Sequence, residues 1–388
     1  MLPILQENDV VYYQKFPFLW LKVNDLILFN KNKQLVCHRV IYKKGYTITK
    51  GDNNPKIDGK IKSSQIIGRI TKIKRNGQTY RLNDLYLFQS TLYFQEIVKI
   101  KKRFEKKKIN FVFLKGLPLH LYFEENHPRR LYADCDVLVD KKDFDKAKKI
   151  LSLSDYKSND ARFSPAQKKL KNKGIESSFL KIINGVPVVF DIHLEPVFLM
   201  VQIDSLNPLY PQKLLDQLTD EFLKNKQQIT INNQQFYILN TRYLILYLAL
   251  HFFHHNFRGA FRLEFIDKVI RKSRLTDKKW GEIMIEIEKY RLKNFVFPVF
   301  LLLKKYYQTP IPNFINFKNF TNFKNSDIFN DETRLEAGIN RFKNIFFLSP
   351  RPLIIKLGVF FNPAVIYLTF FSLKKRLFYF FSTHLKIH

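Results

Sequence analysis

The stretch FVFLKGLPLHLYFEENHPRRLYADCDVLVD, residues 111–140, decides the fold. FVF is a short apolar run of strand type, and Lys115-Gly116 is a turn signal before a segment of helical spacing. YADCDVLVD then reads as a second strand. A strand, a helix and a strand in this order open an α/β block. Further along, DFDKAKKILSL reads as a helix with acidic residues at its start, where they suit the helix N-terminus. SFLKII and NGVPVVFDIHLEP follow as strands, and Asn184-Gly185 between them is a hairpin signal.

Before this block the chain changes character. Residues 1–80 read as β, with DVVYY, LILF, LVCHRVIY and YTITK separated by Gly and Asn. Residues 81–108 carry apolar residues at helical spacing and read as a helical linker. The α/β core is expected over 109–207. Residues 208–388 are expected to be a helical C-terminal region, with TRYLILYLALHFFHH its clearest element. The expected fold class is therefore multidomain: an all-β module plus an α/β (α+β) core with a helical C-terminal part. Its 388 residues suit two or three domains.

Composition narrows the function classes. Apolar residues are 46% and charged residues 26%, which excludes a disordered chain. The two cysteines, Cys37 and Cys135, give no CxxC, which excludes a disulfide framework or a zinc ribbon. The net charge of +32 favours polyanionic partners, although its basic residues are spread along the chain. The first residues lack the continuous apolar run of a secretory signal. LIIKLGVFFNPAVIYLTFF (353–371) is long enough to span a membrane. Lys356, Asn362 and Pro363 interrupt it, so the expectation is a cytoplasmic protein, with peripheral membrane contact through this segment left open.

The chemistry lies in the acidic residues. Asp134 and Asp136 alternate on one strand, so both carboxylates project from one face. On the later strand Asp191, His193 and Glu195 share a face as well. Aspartates grouped from two adjacent strands are a ligand set for two Mg²⁺ (or Mn²⁺) ions, the arrangement that serves phosphoryl transfer. Three carboxylates this close are expected to repel one another until metal arrives, so Asp136→Asn is expected to stabilise the metal-free protein. His251, His254 and His255 fall on one helical face, and a zinc site there competes with plain helix packing.

Over about residues 95–280 the chain resembles the polymerase-β-like nucleotidyltransferase superfamily, and within it an uncharacterised bacterial family with LKG, Tyr, Arg and DxD in this order. The resemblance implies transfer of a nucleoside monophosphate from an NTP, with release of pyrophosphate. Asp134 and Asp136 would bind both metals, and Asp191 would complete one site and help activate the acceptor. Lys115 and Gly116 would cradle the triphosphate, with Arg130 (or Arg129) before the DxD. Arg262 and Asp267 match an Arg-x₄-Asp helix. The acceptor, whether protein, small molecule or RNA, is not legible. Lys-Gly-Leu-Pro stands where many superfamily members have Gly-Ser, which removes a phosphate-binding hydroxyl.

Residues 1–70 resemble signal peptidase I of the archaeal and endoplasmic-reticulum type. The carriers are Met1-Leu2-Pro3, His38-Arg39-Val40, and Lys50-Gly51-Asp52-Asn53 with Asp58. Asn8 and Asn24 replace family glycines and also tolerate left-handed backbone. The resemblance implies His38 as base and Asp58 as its orienter, with Asp52 in the same remnant. The family's nucleophilic Ser precedes the Met at which this chain starts, so the module is expected to be inactive. One rival is a signal-peptidase-like protease whose start is mis-assigned. A second is a non-catalytic peptide- or nucleic-acid-binding protein.

Overall fold

The computed structural model of the 388-residue chain describes residues 5–124, 130–159, 176–196, 209–318, 320, 327–332 and 334–361. Met1-Leu2-Pro3, Arg129 and residues 362–371 of the C-terminal apolar segment lie outside the described residues.

The first part is an antiparallel β-sheet. Its strands are β1 (Val10–Gln14), β2 (Leu26–Lys31), β3 (Gln34–Lys43), β4 (Thr47–Lys50), β5 (Lys60–Ile61), β6 (Ile66–Arg75) and β7 (Gln78–Arg81). They pair in the order β1-β6-β2-β3-β4-β5, with β7 also on β6. Asn8 and Asn24 adopt φ of 67° and 75°, the left-handed backbone their short polar side chains tolerate. Helix α1 (Leu82–Lys106) follows.

The second sheet begins with β8 (Phe111–Phe113), helix α2 (Leu117–Glu124), β9 (Cys135–Val139), helix α3 (Phe144–Ser152) and β10 (Lys157–Ser158). It continues with β11 (Glu176–Ile183) and β12 (Val186–His193). After helix α4 (Gln212–Lys224) come β13 (Lys226–Ile231) and β14 (Gln234–Leu239). The order is β10-β11-β12-β9-β8-β14-β13, with β12 parallel to β9 and β14 parallel to β8. The expectation of a helical region from 208 onward overlooks the hairpin β13–β14, which completes the sheet next to β8. KQQITI and QQFYIL pair through a turn at Asn232-Asn233, with φ of 47° and 59°. That two-residue left-handed turn matches strand twist and recurs at Asn32-Lys33, Asn76-Gly77 and Asn184-Gly185.

The helices are α5 (Thr241–His254), α6 (Ala260–Ser273), α7 (Asp277–Lys289), α8 (Lys293–Tyr307), α9 (Arg334–Leu348) and α10 (Leu353–Phe360). Asn240 caps α5 by accepting from the Tyr243 amide at 3.1 Å. Residues Tyr243–Leu250 of α5 are all buried, so this helix is a core element and not an amphipathic surface one. Among the described residues no helix is long and apolar enough to cross a membrane.

Residues 82–106 do more than link. Leu82 and Tyr86 of α1 pack with Leu26, Ile70 and Ile73 of the first sheet, while Tyr93, Ile97, Ile100 and Phe104 enter the core of the second. The β-module also touches the far end of the chain. Tyr42 Oη donates to the Tyr306 carbonyl at 2.8 Å, and the Ile57 amide donates to Asn330 Oδ1 at 2.8 Å. Tyr42 and Ile48 belong to the same buried cluster as the helices, so the two parts share apolar packing.

Candidate active site

Strands β9 and β12 run parallel with Asp136 opposite Asp191. Asp134 stands one residue before β9. One carboxylate oxygen from each of Asp134, Asp136 and Asp191 lies within 4.8 Å of the others. Asp136 and Asp191 are buried, at 4% and 6% exposure, whereas the Asp134 side chain is 40% exposed. Burying this much negative charge is costly unless cations answer it.

Two residues answer it. Lys115 Nζ lies 2.5 Å from Asp136 Oδ2 and 3.1 Å from Asp134 Oδ2. Burial works against the ammonium, but the two aspartates outweigh it and raise its pKa. His193, two residues past Asp191, places Nε2 at 2.9 Å from Asp136 Oδ1. Burial works against its charged form too, yet the bond and charge of Asp136 raise its pKa. The expectation that the three carboxylates stand unrelieved without metal is thereby corrected. Asp136 sits between an ammonium and an imidazole, so Asp136→Asn removes favourable contacts along with the repulsion.

The turn before α2 is shaped for this. Gly116 has φ 98°, and a β-carbon there would also lie 3.4 Å from the Asp134 carbonyl. The Leu114 amide donates to the Asp136 carbonyl at 3.0 Å, fixing the turn to the DxD strand. From α1, Tyr93 Oη donates to the Ala133 carbonyl at 3.0 Å and accepts from the Val189 amide at 2.8 Å. Gln89 grips Tyr132 through its amide and carbonyl, at 3.2 and 2.8 Å. Tyr93 and Gln89 thus hold both aspartate-bearing strands. Sequence reading missed them, although their i, i+4 spacing on α1 puts them on one face.

The other expected residues are placed as follows. Arg130 lies over the rings of Tyr132 (5.2 Å) and Phe261 (5.4 Å). Glu195, beyond the end of β12, accepts from Gln212 at 2.7 Å and does not join the triad. Asp267 pairs with Arg271 at 2.8 Å. His251 and His255 meet ring to ring at 4.7 Å, and burial with the His255 charge holds the His251 pKa far down. Among the described residues, the aspartate triad is the one group of three or more metal-ligating side chains.

In the β-module, His38 Nδ1 lies 2.7 Å from Asp58 Oδ2, which also accepts from Thr49 Oγ1 at 2.8 Å. Burial opposes ionisation of Asp58, but these bonds and the nearby Lys31 lower its pKa. Asp52 turns away from His38 to bind Arg39 in a two-pronged pair at 2.8 and 2.7 Å. Arg39 in turn donates to Tyr86 Oη at 2.9 Å, which ties this pair to α1.

A family model described as an uncharacterised nucleotidyltransferase matches residues 83–308, more than half of the chain. The chain belongs to this nucleotidyltransferase family. No curated protein and no solved structure matches it. The family match runs from the start of α1 to the end of α8, so the nucleotidyltransferase unit includes the Tyr93 bolt, the triad and the β13–β14 hairpin. Such membership supports nucleotidyl transfer in general, and with it an NTP as substrate and the use of a divalent metal.

Proposed function

We propose that the chain moves a nucleoside monophosphate from an NTP to an acceptor hydroxyl, with Asp134, Asp136 and Asp191 holding Mg²⁺ or Mn²⁺. The observation that carries this is the convergence of three carboxylates from two parallel strands within 4.8 Å. An all-oxygen donor set suits hard cations. Mg²⁺ would bond its ligands at about 2.0–2.1 Å, so oxygens within 4.8 Å of one another would need only a small closure to hold it. The Lys115 ammonium, 2.5 Å from Asp136, supports a negative potential at this point that suits a cation.

Bound metal supplies charge neutralisation at the phosphoryl oxygens. The chain's own residues do the rest. Asp191 takes the proton of the acceptor hydroxyl as its oxygen attacks the α-phosphorus, and the bond to the β-phosphate bridging oxygen breaks to release pyrophosphate. His193 keeps Asp136 in its rotamer, and Lys115 balances charge beside the turn that faces the phosphates. Incubation with an NTP labelled at the α-phosphate tests this. Label transfer and pyrophosphate release should need Mg²⁺ or Mn²⁺ and vanish in Asp136→Asn. Equal turnover by that variant would sink the reading in favour of a non-catalytic binding protein.

For the β-module we propose an inactive scaffold of peptidase type. The His38–Asp58 contact at 2.7 Å supports the likeness. His38 Nε2 faces Gly51, where a β-carbon would lie 2.8 Å from it, so backbone packs against the nitrogen a base would use, which supports inactivity. Cleavage of a leader peptide by the purified chain, lost in His38→Ala, would overturn it.

A further inference from the structure

Among the described residues Arg262, in the first turn of α6, pairs with no acid, unlike its neighbours. Arg258 pairs with Asp327 at 3.0 Å and Glu332 at 3.5 Å, and Arg271 pairs with Asp267 at 2.8 Å. Among the described residues Arg262 makes only a long 3.5 Å hydrogen bond to the Arg258 carbonyl and lies over Phe261, 4.5 Å from the ring centre. Arg130 lies over the same ring at 5.4 Å and likewise has no carboxylate partner there. Burial pulls the Arg262 pKa down to about 10, and the like charge of Arg130 pulls in the same direction. Two part-buried guanidinium groups share one ring with no carboxylate partner among the described residues, and an anion between them would offset their mutual repulsion.

The backbone makes room for this arrangement. Gly259, just before α6, has φ 96°, and a β-carbon there would lie 2.5 Å from Arg262 Nη1 and 3.2 Å from Phe261 Cε1. No side chain caps the α6 start, so its amides add partial positive charge beside the guanidinium. The charges of Asp134 and Asp331 steady Arg262, and Lys115 and Arg262 both act on His251, so the guanidinium lies within electrostatic reach of the triad.

We propose that Arg262 and Arg130, with the start of α6, form the seat for the β- and γ-phosphates of the donor, so that the site selects a nucleoside triphosphate. This rests on the nucleotidyl-transfer reading. The triad would take the α-phosphate, and Lys115 is already engaged by Asp134 and Asp136. The charge that builds on the leaving pyrophosphate then falls to the two free forks, whose planar donors match phosphate oxygens.

Calorimetric titration of the full chain in Mg²⁺ with ATP, AMP and inorganic pyrophosphate tests the seat. Arg262→Met should weaken ATP and pyrophosphate roughly tenfold or more and leave AMP unchanged. Arg130→Met, in an irregular segment, should do the same without touching a helix. Unchanged ATP and pyrophosphate binding in both variants, with the parent binding ATP, would overturn the seat and leave the transfer reading standing. An equal loss for AMP would also overturn it, as that marks a general structural effect. If the parent binds pyrophosphate through Arg262 but binds no nucleotide, the anion seat stands and the transfer reading falls.

Discussion

Each half of the molecule contains a histidine bound to an aspartate, and the two pairs differ in the nitrogen engaged and in burial. In the β-module His38 uses Nδ1, at 2.7 Å from Asp58, and its side chain is part-exposed. In the α/β core His193 uses Nε2, at 2.9 Å from Asp136, and both side chains are buried. The first turns Nε2 toward Gly51, where a β-carbon would come within 2.8 Å of it. The second turns Nε2 inward to a carboxylate that also binds Lys115. The same two residue types therefore do not define a role; which nitrogen is engaged and what else touches the acid define it.

The largest expected effect comes from breaking the charge balance of the core. Lys115→Met leaves Asp136 and Asp134 without their ammonium, and loss of one partner of a buried pair costs about 3–5 kcal/mol. Unfolding in urea should show that loss in metal-free buffer, and added Mg²⁺ should recover part of it. A variant as stable as the parent without metal would mean that Lys115 is not the resident counter-charge. Next comes Asp136→Asn. With Mg²⁺ and NTP at about a hundred times their Kd, the parent should gain about 2.7 kcal/mol, and EDTA should remove that gain. The variant should gain nothing, while Asp145→Asn, at an exposed helix position, should gain as the parent does.

The direct comparison of the two pairs is smaller in effect and sharper in meaning. His193→Ala should weaken Mn²⁺ binding by roughly 10–100-fold, the usual penalty for losing a residue that orients a metal ligand. His38→Ala should leave Mn²⁺ binding unchanged. Mn²⁺ affinities from spin-resonance titration would decide it, and equal effects from both variants would erase the distinction.

Much of the core could be read from the chain because it is written locally. The alternation in ADCDVLVD and VVFDIH set both aspartate strands, and Lys115-Gly116 marked the turn. What failed was the hairpin from Lys226 to Leu239. Its strands are rich in Gln, and only Ile229, Ile231, Phe236, Ile238 and Leu239 are buried, so the apolar alternation was diluted. The turn at Asn232-Asn233 carried the missing signal, since asparagine tolerates positive φ nearly as Asn-Gly turns require. His193 was placed on the right face, but no local rule shows that its partner is Asp136, 57 residues earlier. Tyr93 and Gln89 were hidden for the same reason: their partners lie on other elements.

The smallest effect concerns acid stability of the β-module. The Asp58 carboxyl is held below its ordinary value of 3.8, because bonds from His38 and Thr49 and the charge of Lys31 outweigh its burial. A carboxyl with a lowered folded pKa stabilises the fold above its unfolded pKa of roughly 3.9, and that contribution is lost as pH falls through the folded value. Asp58→Asn should therefore cost about 1 kcal/mol at pH 7, the scale of a charged hydrogen bond screened at a half-open site. The difference between parent and variant should shrink below about pH 4, where the parent's own carboxyl becomes neutral. Urea midpoints at pH 7, 4 and 3 measure it. A gap that stays constant across this range would show that Asp58 works through shape and hydrogen-bond geometry alone. A gap that widens toward acid would contradict a lowered pKa, and with it the picture of His38 and Asp58 as a charge-stabilised pair.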